Sequence, residues 1–315
     1  MQKSQIKEKL KSAIQIYKKT KDPRVSEVIE HLTKILSTSK SRNSLLDYAK
    51  HVYPGYKDPA HIKLIAKNLE ALEKNEINRL AVFMPPRHGK SMLCSEFFPA
   101  WYLGNNPNEF VIQSTYAQEL ADDFGRKVRN QIASPDFNSV FPQVGLRADS
   151  SSAKRFHTMQ GGTYSAVGAG GAITGRGAHL LIIDDPIKGR EDAESETQRR
   201  NLVEWYKSVA YTRLQPGGKI IIIQTRWHQD DLAGHILAES KEDWKVLDLP
   251  AIDDKGNALW PEAYSKKDLE KIKDTVGQRV WQALYQQQPS NDEGSIIKRE
   301  WWNIYEGEKI PSLSY

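Results

Sequence analysis

Residues 84 to 91 of this chain read MPPRHGKS. The Gly89-Lys90-Ser91 end holds the residue types that grip a phosphate: a glycine that lets backbone N–H groups turn toward an anion, a lysine that brings it a positive charge, and a hydroxyl suited to a divalent cation. Such a loop works when it leaves a buried strand and enters a helix, whose N-terminus then faces the anion. Leu80-Ala81-Val82-Phe83 reads as that strand, and Ser91 to Phe98 as the first turns of that helix. Met84 stands where the usual nucleotide loop has its first glycine. Pro85 and Pro86 fix φ and remove two donors, but at the entry of the loop rather than at its Gly-Lys-Ser turn. Arg87 adds a guanidinium two residues before Gly89. The expected nucleotide contacts are Pro86, Arg87, His88, Gly89, Lys90, Ser91 and Met92, with Ser91 also on Mg²⁺. The same residues could form an ordinary basic turn between a strand and a helix.

Phosphoryl transfer also needs a metal anchor and a group that positions the attacking water. His179-Leu180-Leu181-Ile182-Ile183-Asp184-Asp185-Pro186 offers both, because a buried strand ends in two carboxylates. Open α/β sheets place their ligands at that end of a strand. Asp184 is the expected Mg²⁺ ligand, directly or through water, and Asp185 the residue that polarises the water. The bland alternative is a pair of solvated carboxylates closing a core strand. The 94 residues from Lys90 to Asp184 hold a further strand, which suits an architecture with one extra strand between the phosphate-loop strand and the acidic one.

Two more segments carry chemistry. Gly168 to Gly177 is rich in glycine but fails the dinucleotide fingerprint, because Ile173 stands where the third glycine belongs. It reads as a mobile loop that mounts Arg176, either as a surface arginine or as a finger reaching a neighbouring subunit's γ-phosphate. After the strand Ile220–Gln224 comes Thr225, and Gln224 or Thr225 could sense the γ-phosphate. His228, Asp230 and Asp231 match no zinc spacing, so the two carboxylates are expected as helix N-terminal charges.

These residues need a frame. Short apolar runs at Leu80–Phe83, Phe110–Ser114, Leu180–Ile183, Ile220–Gln224 and Trp244–Leu247 alternate with helical stretches. That pattern argues for an α/β fold, with a mostly parallel sheet covered on both faces. Residues 1–48 show helical spacing broken near Lys21-Asp22-Pro23. Residues 49–255 form the expected core and 256–315 a smaller, more polar lid or linker. The chain has 315 residues, one cysteine (Cys94) and a net charge of +5. The charged N-terminus has no signal-peptide core, and no apolar run approaches the roughly 20 residues of a membrane span, so a soluble intracellular protein is expected. Positive charge mildly favours a polyanionic partner. Arg126, Lys127 and Arg129 form one basic patch, and Arg199, Arg200 and Lys207 another.

In combination, MPPRHGKS, GGAITGRGAHLLIIDDPIK, YTRLQPGGKIIIIQTRWHQDDLAGH and LYQQQPSNDEGSIIKREWW resemble the ATPase portion of tailed-phage large terminase subunits. The resemblance runs from about residue 50 to 305. In that family the departure at the first glycine is usual, so Met84 need not mean damage. The resemblance implies a phosphate-loop (Walker-type) ATPase that drives double-stranded DNA into a capsid in the host cytoplasm. Its cofactors would be ATP and Mg²⁺; its partners a portal protein, a small terminase subunit and copies of itself in a ring, with a monomer possible in solution. It carries Lys90, Ser91 and Arg87 to nucleotide binding, Asp184 and Asp185 to metal and water, Arg176 to a finger between subunits, and Thr225 to coupling. It also places Tyr56 and His61 near the adenine. Full-length members continue into a metal-dependent nuclease, and this chain ends at Tyr315 where that unit would begin. The expectation is therefore an isolated motor unit that cannot itself cut DNA. A helicase-like or remodelling ATPase on the same core is the alternative; it would need a second full α/β domain.

Overall fold

The computed structural model describes residues 3–173 and 175–289. Helices α1 (Lys3–Thr20) and α2 (Pro23–Asn43) open the chain, and Asp22 caps α2 at the break expected there. Next come α3 (Leu45–Val52), α4 (Ala60–Glu73) and β1 (Arg79–Phe83). Wide π-type turns at Met92–Phe97 run into α5 (Phe98–Asn105). β2 (Phe110–Thr115), α6 (Gln118–Ile132) and α7 (Pro135–Val140) follow. Then come β3 (Leu146–Ser151), β4 (Arg155–Thr158), β5 (Thr163–Gly168) and β6 (Ala178–Asp184). The chain continues through α8 (Arg190–Glu194), α9 (Glu196–Trp205), β7 (Leu214–Gln224), α10 (Leu232–Glu239), β8 (Lys245–Asp248) and α11 (Lys266–Val280).

All eight strands join one sheet in the order β3-β4-β5-β2-β6-β7-β1-β8. β5 through β8 in that order run parallel, and β4 and β3 turn back antiparallel at one edge. The strand between the phosphate-loop strand and the acidic strand is β7, not β2, which lies on the far side of β6. Each central strand feeds two cores. Leu80 and Val82, Leu180 and Ile182, and Ile221 and Ile223 face one core, shared with α3 to α7. Ala81 and Phe83, Leu181 and Ile183, and Ile220 and Ile222 face the other, shared with α9 and α10. Side chains alternate across a strand, so a strand buried on both faces must be apolar at nearly every position.

α2 is tied to this body through Arg42, which donates to the Val140 carbonyl at 2.6 Å, and through Trp101, whose indole donates to the Ser41 carbonyl at 3.0 Å. A small third cluster joins Ala251, Leu269 and Trp281, with Tyr264 and Tyr285 packed against it. The polar stretch from residue 290 onward, including most of the closing motif, lies outside the described residues.

Candidate active site

The phosphate loop leaves β1 at the carboxyl edge of the sheet. Met84 is fully buried, and its amide donates to the Gln224 carbonyl at 3.4 Å, so it continues the strand pairing rather than turning the chain. The turn comes later, at Arg87 (φ 60°) and Gly89 (φ 90°). The backbone angle at Gly89 favours glycine, and a Cβ there would also sit tightly, 3.2 Å from the Ile62 side chain. Helical winding then begins at Lys90, and the Leu93 amide donates to the Gly89 carbonyl.

Lys90 is 6 % exposed. Its Nζ donates to Thr225 Oγ1 at 3.0 Å and pairs with Asp185 Oδ2 at 3.0 Å. The other carboxylate oxygen of Asp185 accepts the Thr225 amide at 2.8 Å. Three residues from three separate segments therefore close a ring of contacts: the helix after β1, the end of β6 and the end of β7. Asp185 sits at φ 42°, a left-handed angle that costs a non-glycine residue energy. Its amide donates to the Ile223 carbonyl and its carbonyl accepts the Tyr116 amide, which hold that turn in place.

Asp184 points the other way, into the helix after the loop. It is 1 % exposed, and Ser95 donates to its Oδ2 at 2.6 Å. The Ser91 hydroxyl lies close enough to this carboxylate to favour its charged form. Burial, and next the charge of Asp185, push the Asp184 carboxyl up to about 7, against the pull of Lys90 and the two serines. Its Oδ1 is buried with no hydrogen-bond partner. A buried carboxylate oxygen without a donor, beside the Ser91 hydroxyl, is the hard oxygen set that suits Mg²⁺ with its remaining positions left to water and phosphate. Among the described residues, no group of three or more His, Cys, Asp or Glu forms an all-protein metal cage.

The other expected residues fall into three places. Arg87 is exposed at the rim of the loop, and its charge reaches Tyr285 in the third cluster. Pro86 is half-buried and Met92 is 38 % exposed. His88 turns inward and stacks on Tyr264, with ring centroids 4.7 Å apart. Burial lowers its pKa, and its Nε2 has no partner. His61 is 3 % exposed, with Nε2 3.0 Å from the His88 carbonyl and Nδ1 3.2 Å from the Leu259 carbonyl. It thus links the phosphate loop to the segment that follows β8, and burial lowers its pKa as well. Tyr56 is buried edge-on against Phe97, 5.1 Å between centroids. Its hydroxyl has no partner.

Arg176 lies elsewhere. It is half-buried two residues before β6 begins, whereas Asp184 is where β6 ends. The strand between them spans about 20 Å at the usual rise per residue. Among the described residues Arg176 has neither hydrogen bond nor ion pair, and burial followed by the nearby charge of Arg155 lowers its pKa. Asp231, expected as a helix N-terminal charge, does cap α10 by accepting the Gly234 amide. It also pairs with Arg226 at 2.8 Å, and the Arg226 guanidinium lies 4.9 Å from the Phe83 ring centroid. Sequence reasoning missed Ser95, although Ser91 and Ser95 share a helix face at a four-residue spacing. It also missed Tyr264, stacked on His88, and Trp260, whose ring centroid lies 5.6 Å from that of His61; no local signal exists for either.

Comparison with known proteins places the chain in a class. The family model for the terminase large subunit, T4likevirus-type, N-terminal part, matches residues 82–304, and the chain belongs to that family. No curated protein matches it. Among solved structures, the ATPase domain of the Thermus phage P74-26 large terminase is 13% identical, with a TM-score of 0.52. That match covers 77% of this chain and 98% of the other, and it shows the fold. The large terminase of bacteriophage HK97 is 12% identical with a TM-score of 0.49, over 71% of this chain and 50% of that one. The chain therefore spans about half the length of that protein. Among the described residues, no helix is long and apolar enough to cross a membrane.

Proposed function

We propose that the chain is the ATP-hydrolysing motor part of a viral large terminase subunit, which drives double-stranded DNA into a procapsid. The observation that carries this reading is the contact ring of Lys90, Asp185 and Thr225 on the carboxyl edge of the sheet, in a chain of the terminase family. Lys90 and the amides of the Gly89 turn bind the β- and γ-phosphates, and Arg87 closes on them from the rim. Ser91 and Asp184 hold Mg²⁺, which when bound neutralises charge on the phosphates. Asp185 leaves Lys90 when phosphate takes its place and then holds the attacking water by a hydrogen bond. Thr225, bonded to both Lys90 and Asp185, registers the γ-phosphate and passes its loss into β7. His61 and Tyr56 stand at the adenine end, beside the loop. Arg176 serves a neighbouring copy, in a ring assembled on a portal with a small terminase subunit, in the host cytoplasm. Residues 1–48, 49–255 and 256–315 act as helical extension, core and lid.

ATP turnover tests the reading. Lys90→Ala should lower the hydrolysis rate by about a hundredfold or more, the usual loss when one charge-stabilising donor is removed. An unchanged rate would end the assignment of this loop.

A further inference from the structure

Positive charge is not spread over this chain. Residues 1–43 hold eleven Lys and Arg against four Asp and Glu, an excess of seven. The whole chain has an excess of only five, so the remaining 272 residues are net acidic by two. The entire surplus sits on the hairpin of α1 and α2. α1 packs along α2, and α2 in turn packs on α3, α5 and α7. The face of α1 turned to α2 holds Ile6 and Ala13, both buried, with Leu10 and Tyr17 half-buried. Lys7, Lys11 and Lys18 lie off that face, all exposed. At 100° per residue they fall within about 40° of one another, and they extend over about 16 Å of helix. No carboxylate pairs with any of the three among the described residues, whereas Lys40 on α2 is paired with Asp47 at 2.5 Å.

We propose that this stripe grips the backbone of double-stranded DNA, as a site separate from the phosphate loop. The choice of a duplex among polyanions rests on the motor reading above. Three features support it. Lysines are compact charges that suit phosphates without the bidentate geometry that arginine brings to base edges. The stripe has no exposed aromatic ring on which single-stranded bases could stack, since Tyr17 is half-buried and Lys21 lies over its ring at 5.5 Å from the centroid. Its length matches several successive phosphates, so the contact is sequence-independent and sensitive to salt.

The test is fluorescence anisotropy of a labelled 30-base-pair duplex, titrated with the full chain over a series of KCl concentrations. Replacing Lys7, Lys11 and Lys18 together by Gln should weaken binding at least tenfold and flatten the salt slope by about two to three units, roughly 0.9 per lost contact. Replacing all three by Arg should restore both, and circular dichroism and basal ATP turnover should match the parent chain. Equal affinity and slope in the Gln variant would overturn the stripe. So would a parent chain that binds no duplex, while the phosphate-loop reading would still stand or fall on Lys90→Ala. A Gln variant that keeps duplex binding but loses poly-L-glutamate binding would replace DNA by an acidic protein there.

Discussion

At the scale of residues, the two aspartates at the end of β6 are adjacent in sequence and opposite in environment. Asp185 is one-third exposed and ion-paired, whereas Asp184 is buried with one oxygen unpartnered. The raised pKa of Asp184 gives a signed prediction. A carboxyl whose folded pKa lies above its unfolded value stabilises the fold while protonated and loses that contribution as pH rises through the folded pKa. Without Mg²⁺, the melting temperature of the parent chain should therefore fall between pH 4 and 8 relative to Asp184→Asn, which keeps the shape and cannot ionise. Parallel melting curves across that range would contradict the burial argument. The lysine was legible from the Gly-Lys-Ser turn that follows a buried strand, and the aspartate pair and the threonine because each ends an apolar run. Ser95 was not legible as a partner of Asp184, because a serine inside a helix looks the same whether it faces solvent or a buried carboxylate. The double engagement of His61 was hidden for a similar reason, since its partner carbonyls lie 27 and 198 residues away.

At the scale of elements, five of the eight strands could be read from their apolar runs, and three of these, β1, β6 and β7, carry the site. β3, β4 and β5 could not. β3 is Leu146-Arg147-Ala148-Asp149-Ser150-Ser151, half-exposed or exposed throughout, so it offers neither an apolar run nor a clean alternation. The spatial order was equally hidden, because strand sequence does not say that β7 inserts between β1 and β6. What holds the polar edge down is close packing against α6. A Cβ on Gly125 would come within 2.0 Å of the Ala153 carbonyl oxygen, in the turn between β3 and β4. Gly125→Ala should cost about 2–3 kcal/mol, the upper end for overpacking a rigid contact. The measurement is the urea midpoint at unchanged m; a loss below about 0.5 kcal/mol, the ordinary surface range, would mean that the edge yields freely.

At the scale of the whole molecule, the sheet has two chemically different edges. Lys90, Asp184, Asp185 and Thr225 gather at the carboxyl edge, while Arg176 stands where β6 enters from the other side. On the proposed reading, neither edge completes a site alone. Mixing Arg176→Ala copies with Asp185→Ala copies should restore part of the turnover that each lacks, once assembly has been verified; absence of rescue in an assembled mixture would remove Arg176 from the mechanism. The separation of about 20 Å along one strand has a further consequence, which concerns symmetry. A two-fold pair would have to cover both edges with a single self-complementary interface. A head-to-tail contact needs only the donor edge of one copy against the receiver edge of the next. Repeated, that contact has a direction, and it ends either in a closed ring or in an open helix. The polarity of a motor would then already be present in a single subunit, as the difference between the two ends of β6.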